Sequence, residues 1–330
     1  MKLKELNYEL PKELIAQYPL QDRAESKLLV VTKNTGSIAH HTFRDISTFF
    51  GKRDVLVLNN TKVFKARLKG KKETGGSIEI LLIKEIDKGI WEVMISHAKR
   101  TREQTKIFLD NNIYATVLRK VGTRCHIAFN APVRQIIDHY GIVPLPHYIK
   151  RDAVKSDRED YQSVFARREG SVAAPTASLH FTKGLLNDIK KKGVQIAEIT
   201  LHIGPGTFKP IRRESIEEHT MEAEYFEIPE AAARMITGAQ RVIGVGTSVC
   251  RALESYANTG VTSGLAELFI YPGYRFKKID CLITNFHLPC STTLLLVCAF
   301  VGKELLFNAY KQAIDKKYRF LSYGDAMLIL

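Results

Sequence analysis

Apolar and polar residues follow two different rhythms along this chain. Between Val63 and Phe129, apolar residues gather in strand-length runs: Val63 to Leu68, Ser77 to Ile83, Ile90 to Ile95, Thr105 to Leu109, Ile113 to Leu118 and Cys125 to Phe129. Turn residues separate them, as in Thr74-Gly75-Gly76, Asp87-Lys88-Gly89, Asp110-Asn111-Asn112 and Val121-Gly122. Six short strands joined in this way predict a small antiparallel barrel or sandwich. A short mixed segment, Pro132 to Tyr140, then leads through Gly141 and IVPLPHYIK into a different texture. From about Arg151, strand and helix patterns alternate. Thr182 is placed to cap the helix LLNDIKKK, whose lysines sit at the C-terminal end, and Gly193 stops it. VQIAEITLHI follows as a strand, Pro229 opens a helix, Arg241 to Val245 reads as a buried strand, and GTSVCRALESY begins another helix. Leu265 to Tyr271 and Cys281 to Thr284 read as strands ahead of two helices at Thr292 to Val301 and Lys303 to Asp315, while Leu28 to Thr32 and Val55 to Leu58 supply strands near the start. The expected fold is α+β or mixed α/β: a large mixed α/β domain from residues 1–60 and 151–330, carrying an inserted six-stranded antiparallel β-barrel at 61–150.

Composition narrows the class. With 330 residues, 45% hydrophobic and 25% charged, the chain buries enough apolar surface to offset the entropy of ordering, which excludes disorder. The longest apolar run, Leu294 to Val301, is far shorter than the roughly 20 residues a membrane span needs. The opening MKLKELNYELPKEL has no apolar core of a signal peptide, so a cytoplasmic protein without a membrane partner is expected. Cys125, Cys250, Cys281, Cys290 and Cys298 form no C-x-x-C pair, which suits a reducing compartment. CLITNFHLPC lacks the second half of a metal site, so no metal is expected.

Charge adds a location. The chain carries 49 Lys plus Arg and 35 Asp plus Glu, a net +14. Residues 60–150 hold 17 basic and 8 acidic residues, net +9, and the remaining 239 hold 32 and 27, net +5. The densest stretch, Thr61 to Lys72, has six basic residues and no acid. Clustered positive charge of this kind is the footprint expected for a phosphate backbone.

Four segments gather small, polar and titratable residues where regular structure breaks. VAAPTASLHFT places His180 just before the Thr182 cap. In TLHIGPGTFKPI, strand alternation puts Thr200, His202 and Gly204 on one face, with Gly206 and Thr207 in the turn beyond, and His219, Glu222 and Glu224 follow. VIGVGTSVCRALES is a strand, glycine turn and helix start; its Gly244, Gly246, Thr247 and Ser248 suit a carboxylate or phosphate, but it is not a dinucleotide fingerprint. In the last third, Asn285 and His287 leave a strand at its carboxyl end, Ser291 or Thr292 caps the next helix, and Tyr323-Gly324-Asp325 turns inside an apolar tail where Asp325 needs a partner.

Together these segments resemble the S-adenosylmethionine:tRNA ribosyltransferase-isomerase family of queuosine biosynthesis, over essentially the whole chain: YELPKELIAQYPLQDRAESKLLV, DVLVLNNTKVFKARLKG, AAPTASLHFT, TLHIGPGTFKPI, GVGTSVCRALES, IYPGYRFKKIDCLITNFHLPCST and YRFLSYGDAMLIL. The family pattern has glycine where Ser178 stands and histidine where Glu222 stands. The resemblance implies transfer and isomerisation of the ribosyl part of S-adenosylmethionine onto the aminomethyl group of 7-aminomethyl-7-deazaguanine at the tRNA wobble position, giving epoxyqueuosine with loss of adenine and methionine. S-adenosylmethionine is then a consumed substrate, and no separate cofactor is expected. The acid-base candidates are His180, His202 and His287. Thr176, Gly204, Gly206, Thr207, Thr247, Ser248, Arg251, Asn285, Tyr323 and Asp325 are substrate-binding candidates, and Lys62, Arg67, Lys69, Lys71 and Lys72 are candidates for tRNA contact. A monomer is expected, with a homo-oligomer as the other possibility. Two functional alternatives stand beside this one: a non-catalytic RNA-binding protein, and an S-adenosylmethionine-dependent RNA methyltransferase.

Overall fold

The structure, a computed structural model, describes residues 2–208, 211 and 215–330. Strands β1 (Lys27–Thr32), β2 (Ser37–Thr42) and β3 (Asp54–Asn59) precede a short strand β4 (Thr61–Val63). Six strands follow: β5 (Arg67–Lys72), β6 (Ser77–Asp87), β7 (Ile90–Ile95), β8 (Lys106–Phe108), β9 (Tyr114–Val121) and β10 (Arg124–Phe129). After them come α1 (Val133–Tyr140), α2 (Asp157–Asp160), β11 (Arg168–Ser171), α3 (Lys183–Lys191), β12 (Gln195–Leu201), β13 (Glu224–Glu227), α4 (Glu230–Gly238), β14 (Arg241–Val245), α5 (Thr247–Thr259), β15 (Ser263–Ala266), β16 (Cys281–Asn285), α6 (Thr292–Val301), α7 (Lys303–Asp315) and β17 (Ala326–Ile329).

One nine-stranded sheet runs in the order β15-β13-β12-β3-β14-β16-β17-β1-β2. Its centre, β12-β3-β14-β16, is parallel. These strands are nearly continuous apolar runs because both faces are covered, as parallel strands require. On one face Val55, Val57, Ile199, Val242 and Leu282 pack with residues of α5, α6 and α7; on the other Leu56, Leu58, Ile243, Val245 and Ile283 pack with residues of α3. Strand alternation thus divides one sheet between two cores.

The strands β10-β7-β6-β5-β8-β9 close into an antiparallel barrel. Leu68, Ile80, Leu82, Val93, Ile107, Val117 and Ile127 fill its interior, so it is a packed core. The fold is therefore mixed α/β with an inserted six-stranded barrel. The chain enters the insert through β4, which pairs in parallel with the returning β11.

Four local readings change. The run Val63 to Leu68 is not one strand: Thr61–Val63 belongs to the β4–β11 pair, and the backbone turns at Phe64–Ala66 before β5. The mixed segment Pro132 to Tyr140 is helical from Val133, with Pro132 as its first flanking residue. β2 has no buried apolar face, which hides it from a hydrophobic pattern. The strand expected over Leu265 to Tyr271 stops at Ala266, because the Arg251 guanidinium takes the carbonyls of Ala266 (2.9 Å) and Leu268 (3.3 Å) that a longer ladder would use. No single helix among the described residues is long and apolar enough to cross a membrane.

Candidate active site

The parallel strands β3, β12, β14 and β16 all finish at one end of the sheet, where ligands of open α/β sheets bind. A cavity lies there, with about 1160 Å³ of empty space including its mouth. Gly246, between β14 and α5, adopts φ +92°, and its N–H donates to the Ile283 carbonyl at 2.8 Å. That left-handed φ favours glycine and starts α5 abruptly, so Thr247 and Ser248 form its first turn at the cavity wall. Among the described residues no side chain caps α5, leaving its first N–H groups and positive dipole end available to an anion. By contrast, α6 is capped by Ser291, which accepts from the Leu294 N–H at 3.2 Å.

Asn285 and His287 emerge from the end of β16 into the same cavity. Asn285 is buried; its amide donates to the Leu321 carbonyl at 2.8 Å, and its Oδ1 lies 3.2 Å from His180 Nε2. His287 Nε2 lies 2.7 Å from Thr284 Oγ1. Its backbone is pinned on both sides: the N–H donates to the Tyr310 hydroxyl at 2.9 Å, and the carbonyl accepts from the Tyr8 hydroxyl. Partly accessible from the cavity but enclosed by protein, His287 is pushed by burial down to about 3, so its ring is unprotonated at neutral pH. Burial also brings His180 down to about 4.

These shifts set an expected pH dependence of stability. Both rings titrate below their usual 6.5 in the folded chain, so the unfolded chain binds more protons as pH falls from 6.5 towards 4. Stability is complete above pH 6.5 and is lost on acidification through that window. Thermal melts between pH 7.5 and 4.5 are expected to show this decline, shallower in His180→Gln; an equal slope in the variant would remove His180 as a contributor.

Of the expected site residues, Thr176, Thr247, Ser248, Arg251, Asn285 and His287 line the cavity. Arg251 is already engaged, since it forms a buried ion pair with Glu224, whose other oxygen accepts the Gly204 N–H at 2.9 Å. It therefore braces the wall and does not present a free charge. His180 reaches the cavity only through Asn285; its Nδ1 lies 2.8 Å from Ser26 Oγ. His202 is outside the cavity, 2.8 Å from Thr61 Oγ1 and stacked on Tyr225, because it alternates with Leu201 and Ile203, whose shared face is the one turned inward. Gly204 and Gly206 do not line it, and the side chain of Thr207 lies outside the described residues.

Two residues of the apolar tail have other partners. Tyr323 donates to Asp157 Oδ1 at 2.8 Å, and Asp325 accepts the backbone N–H groups of Lys27 (2.9 Å) and Arg319 (2.7 Å). β17 is an internal strand between β1 and β16, which turns this segment away from the cavity. Pattern reading missed the apolar wall formed by Met221, Leu268, Phe269 and Ile270, which comes from irregular segments. Glu222, the acid at the family's histidine position, pairs with Arg124 of β10 at 2.7 Å and so ties the barrel to the body. Among the described residues no group of three His, Cys, Asp or Glu side chains is placed to hold a metal ion.

On the insert, the side chains of Lys62 and Lys71 are exposed, Lys69 pairs with Asp152 at 2.8 Å, and Lys72 donates to the Arg100 carbonyl at 2.8 Å. Arg67 differs, because its guanidinium donates to the Leu145 carbonyl at 2.9 Å, outside the barrel, and forms an ion pair at 3.1 Å with Glu79 of the neighbouring β6.

Comparison with known proteins places this geometry in a family. The sequence model described as "Queuosine biosynthesis protein" matches residues 3–329. An S-adenosylmethionine:tRNA ribosyltransferase-isomerase of Sulfurihydrogenibium sp. (strain YO3AOP1) is 48% identical, and one of Carboxydothermus hydrogenoformans is 46% identical, each over 100% of both chains. The crystal structure of S-adenosylmethionine tRNA ribosyltransferase from Thermotoga maritima is 35% identical and covers 99% of this chain and 100% of its own, with a TM-score of 0.57. With the match running from end to end through the cavity-lining segments, this chain belongs to the S-adenosylmethionine:tRNA ribosyltransferase-isomerase family of queuosine biosynthesis.

Proposed function

We propose that the cavity at the carboxyl ends of β3, β12, β14 and β16 binds S-adenosylmethionine and moves its ribosyl part, with isomerisation, onto the aminomethyl group of 7-aminomethyl-7-deazaguanine at the tRNA wobble position, releasing adenine and methionine. The observation that carries this reading is the convergence of an uncapped helix start (Thr247, Ser248) and a neutral histidine (His287) on one enclosed cavity. The sulfonium acidifies the adjacent C–H, and His287 takes that proton. The imidazolium so formed holds the same proton for the departing adenine, so one residue serves first as base and then as acid. The first-turn N–H groups of α5 suit the substrate carboxylate. Thr176 and Asn285 orient the substrate by hydrogen bonds. The insert, residues 61–150, is the tRNA-contacting domain, and residues 1–60 with 151–330 form the catalytic domain. The enzyme acts as a cytoplasmic monomer.

Product analysis after incubation with S-adenosylmethionine and tRNA bearing the aminomethyl base tests this. Adenine and methionine are expected in equal amounts. S-adenosylhomocysteine in their place would indicate methyl transfer, and unconsumed S-adenosylmethionine with bound tRNA would indicate a binding protein.

A further inference from the structure

Behind the main cavity, on the far side of the His180–Asn285 hydrogen bond, lies a second, smaller cleft. Arg23, Ser26, Asp160, His180, Arg319 and Tyr323 are among the residues that line it. Its cationic groups are poorly balanced. Arg23 spends its fork on backbone carbonyls, those of Gln162 (2.7 Å) and Glu159 (2.9 Å), and its nearest carboxylate, Asp160, is 3.9 Å away. Arg319 donates through Nη2 to the Tyr18 carbonyl, while its Nη1 is buried and has no hydrogen-bond partner among the described residues. Among the described residues no carboxylate oxygen lies within 4.0 Å of the Arg319 guanidinium. Asp325 is close, but both its oxygens are taken up by the backbone N–H groups of Lys27 and Arg319. A buried guanidinium N–H without an acceptor is costly, and its natural complement is a planar or tetrahedral oxyanion held by the arginine fork. His180 at the back of the cleft is held down by burial first and then by the charges of Arg23 and Arg319, so both guanidiniums act at this one place.

We propose that the Arg23–Arg319 cleft is a phosphodiester subsite for the tRNA substrate, holding a backbone phosphate next to the nucleotide whose base enters the main cavity. A polymer phosphate is favoured over a free anion because the cleft adjoins that cavity: Ser322 lines both, and the two meet across the His180–Asn285 hydrogen bond. This rests on tRNA being the substrate, as proposed above.

The test is equilibrium binding of tRNA as a function of salt. Each lost phosphate contact removes about 0.7 to 0.9 from the slope of log affinity against log salt. Arg319→Gln is expected to weaken binding and flatten the slope by that amount, whereas Arg319→Lys, which keeps the charge, retains the wild-type slope. If loss of the Tyr18 contact unfolds Arg319→Gln, Arg23→Gln gives the same readout. A wild-type slope in a glutamine variant with wild-type melting temperature overturns the subsite. So does a change seen only in protection by inorganic phosphate and not in tRNA binding. Absence of any tRNA affinity in the unaltered protein would instead overturn the reading of tRNA as substrate.

Discussion

Replacing His287 with glutamine is expected to lower the rate of adenine release by about 10²- to 10⁴-fold, the range for loss of a positioned general base. Of the three histidines expected to do acid-base work, only His287 lines the cavity. His180 stands behind Asn285, and His202 packs on Tyr225 outside it. The substitution leaves the surroundings in place, because the bonds from Tyr310 and Tyr8 go to the His287 backbone and, among the described residues, only Thr284 hydrogen-bonds its ring. S-adenosylmethionine affinity should therefore change little while the maximal rate collapses. The ring is already neutral from about pH 3 upward, so wild-type activity between pH 5 and 8 should show no acid limb from this group. A folded His287→Gln protein with near-normal adenine release would remove His287 as the base.

Reversing the charge of Lys62, Lys69, Lys71 and Lys72 together to glutamate is expected to raise the KM for tRNA by about a hundredfold or more at physiological salt. Up to four phosphate contacts would be lost and repulsion added, with the salt slope falling by roughly 3. These lysines lie on β4 and β5, at the entry to the insert, and their side chains either reach solvent or rest on exposed partners. Arg67 is left out because its guanidinium is engaged by the Leu145 carbonyl and Glu79, so its loss would confound stability with binding. Binding of S-adenosylmethionine alone should be unaffected. An unchanged tRNA KM and salt slope in the quadruple variant would exclude this face as the tRNA surface.

The barrel was legible because its strands alternate with a period of two and turns separate them; the parallel strands of the body were legible as unbroken apolar runs. What escaped pattern reading lacked a local signal. Ser37 to Thr42 forms an edge strand with no apolar face, and Val63 to Leu68 keeps its apolar rhythm through a turn that pairing with β11 imposes from a distance. The same distinction applies to the site. Thr247, Ser248, Asn285 and His287 sit where a strand visibly gives way to a glycine turn or a helix start, so the sequence exposes them. Alternation past Leu201 holds, but the face turned to the cavity is that of Ile199, Leu201 and Ile203, so His202 on the opposite face points away from it. Arg251 occupies its expected wall, yet its charge is spent on Glu224 across 27 residues, a partnership no spacing rule supplies. Asp325 required a partner on burial grounds alone, but only the fold shows that backbone N–H groups provide it.

The most direct measurement is a crystal structure of the enzyme soaked with S-adenosylmethionine. The substrate is expected in the cavity beyond β14 and β16, with its carboxylate at the first turn of α5 and its sulfonium facing the His287 ring. Density for S-adenosylmethionine elsewhere, such as along the barrel, or an empty cavity under saturating conditions, would contradict it.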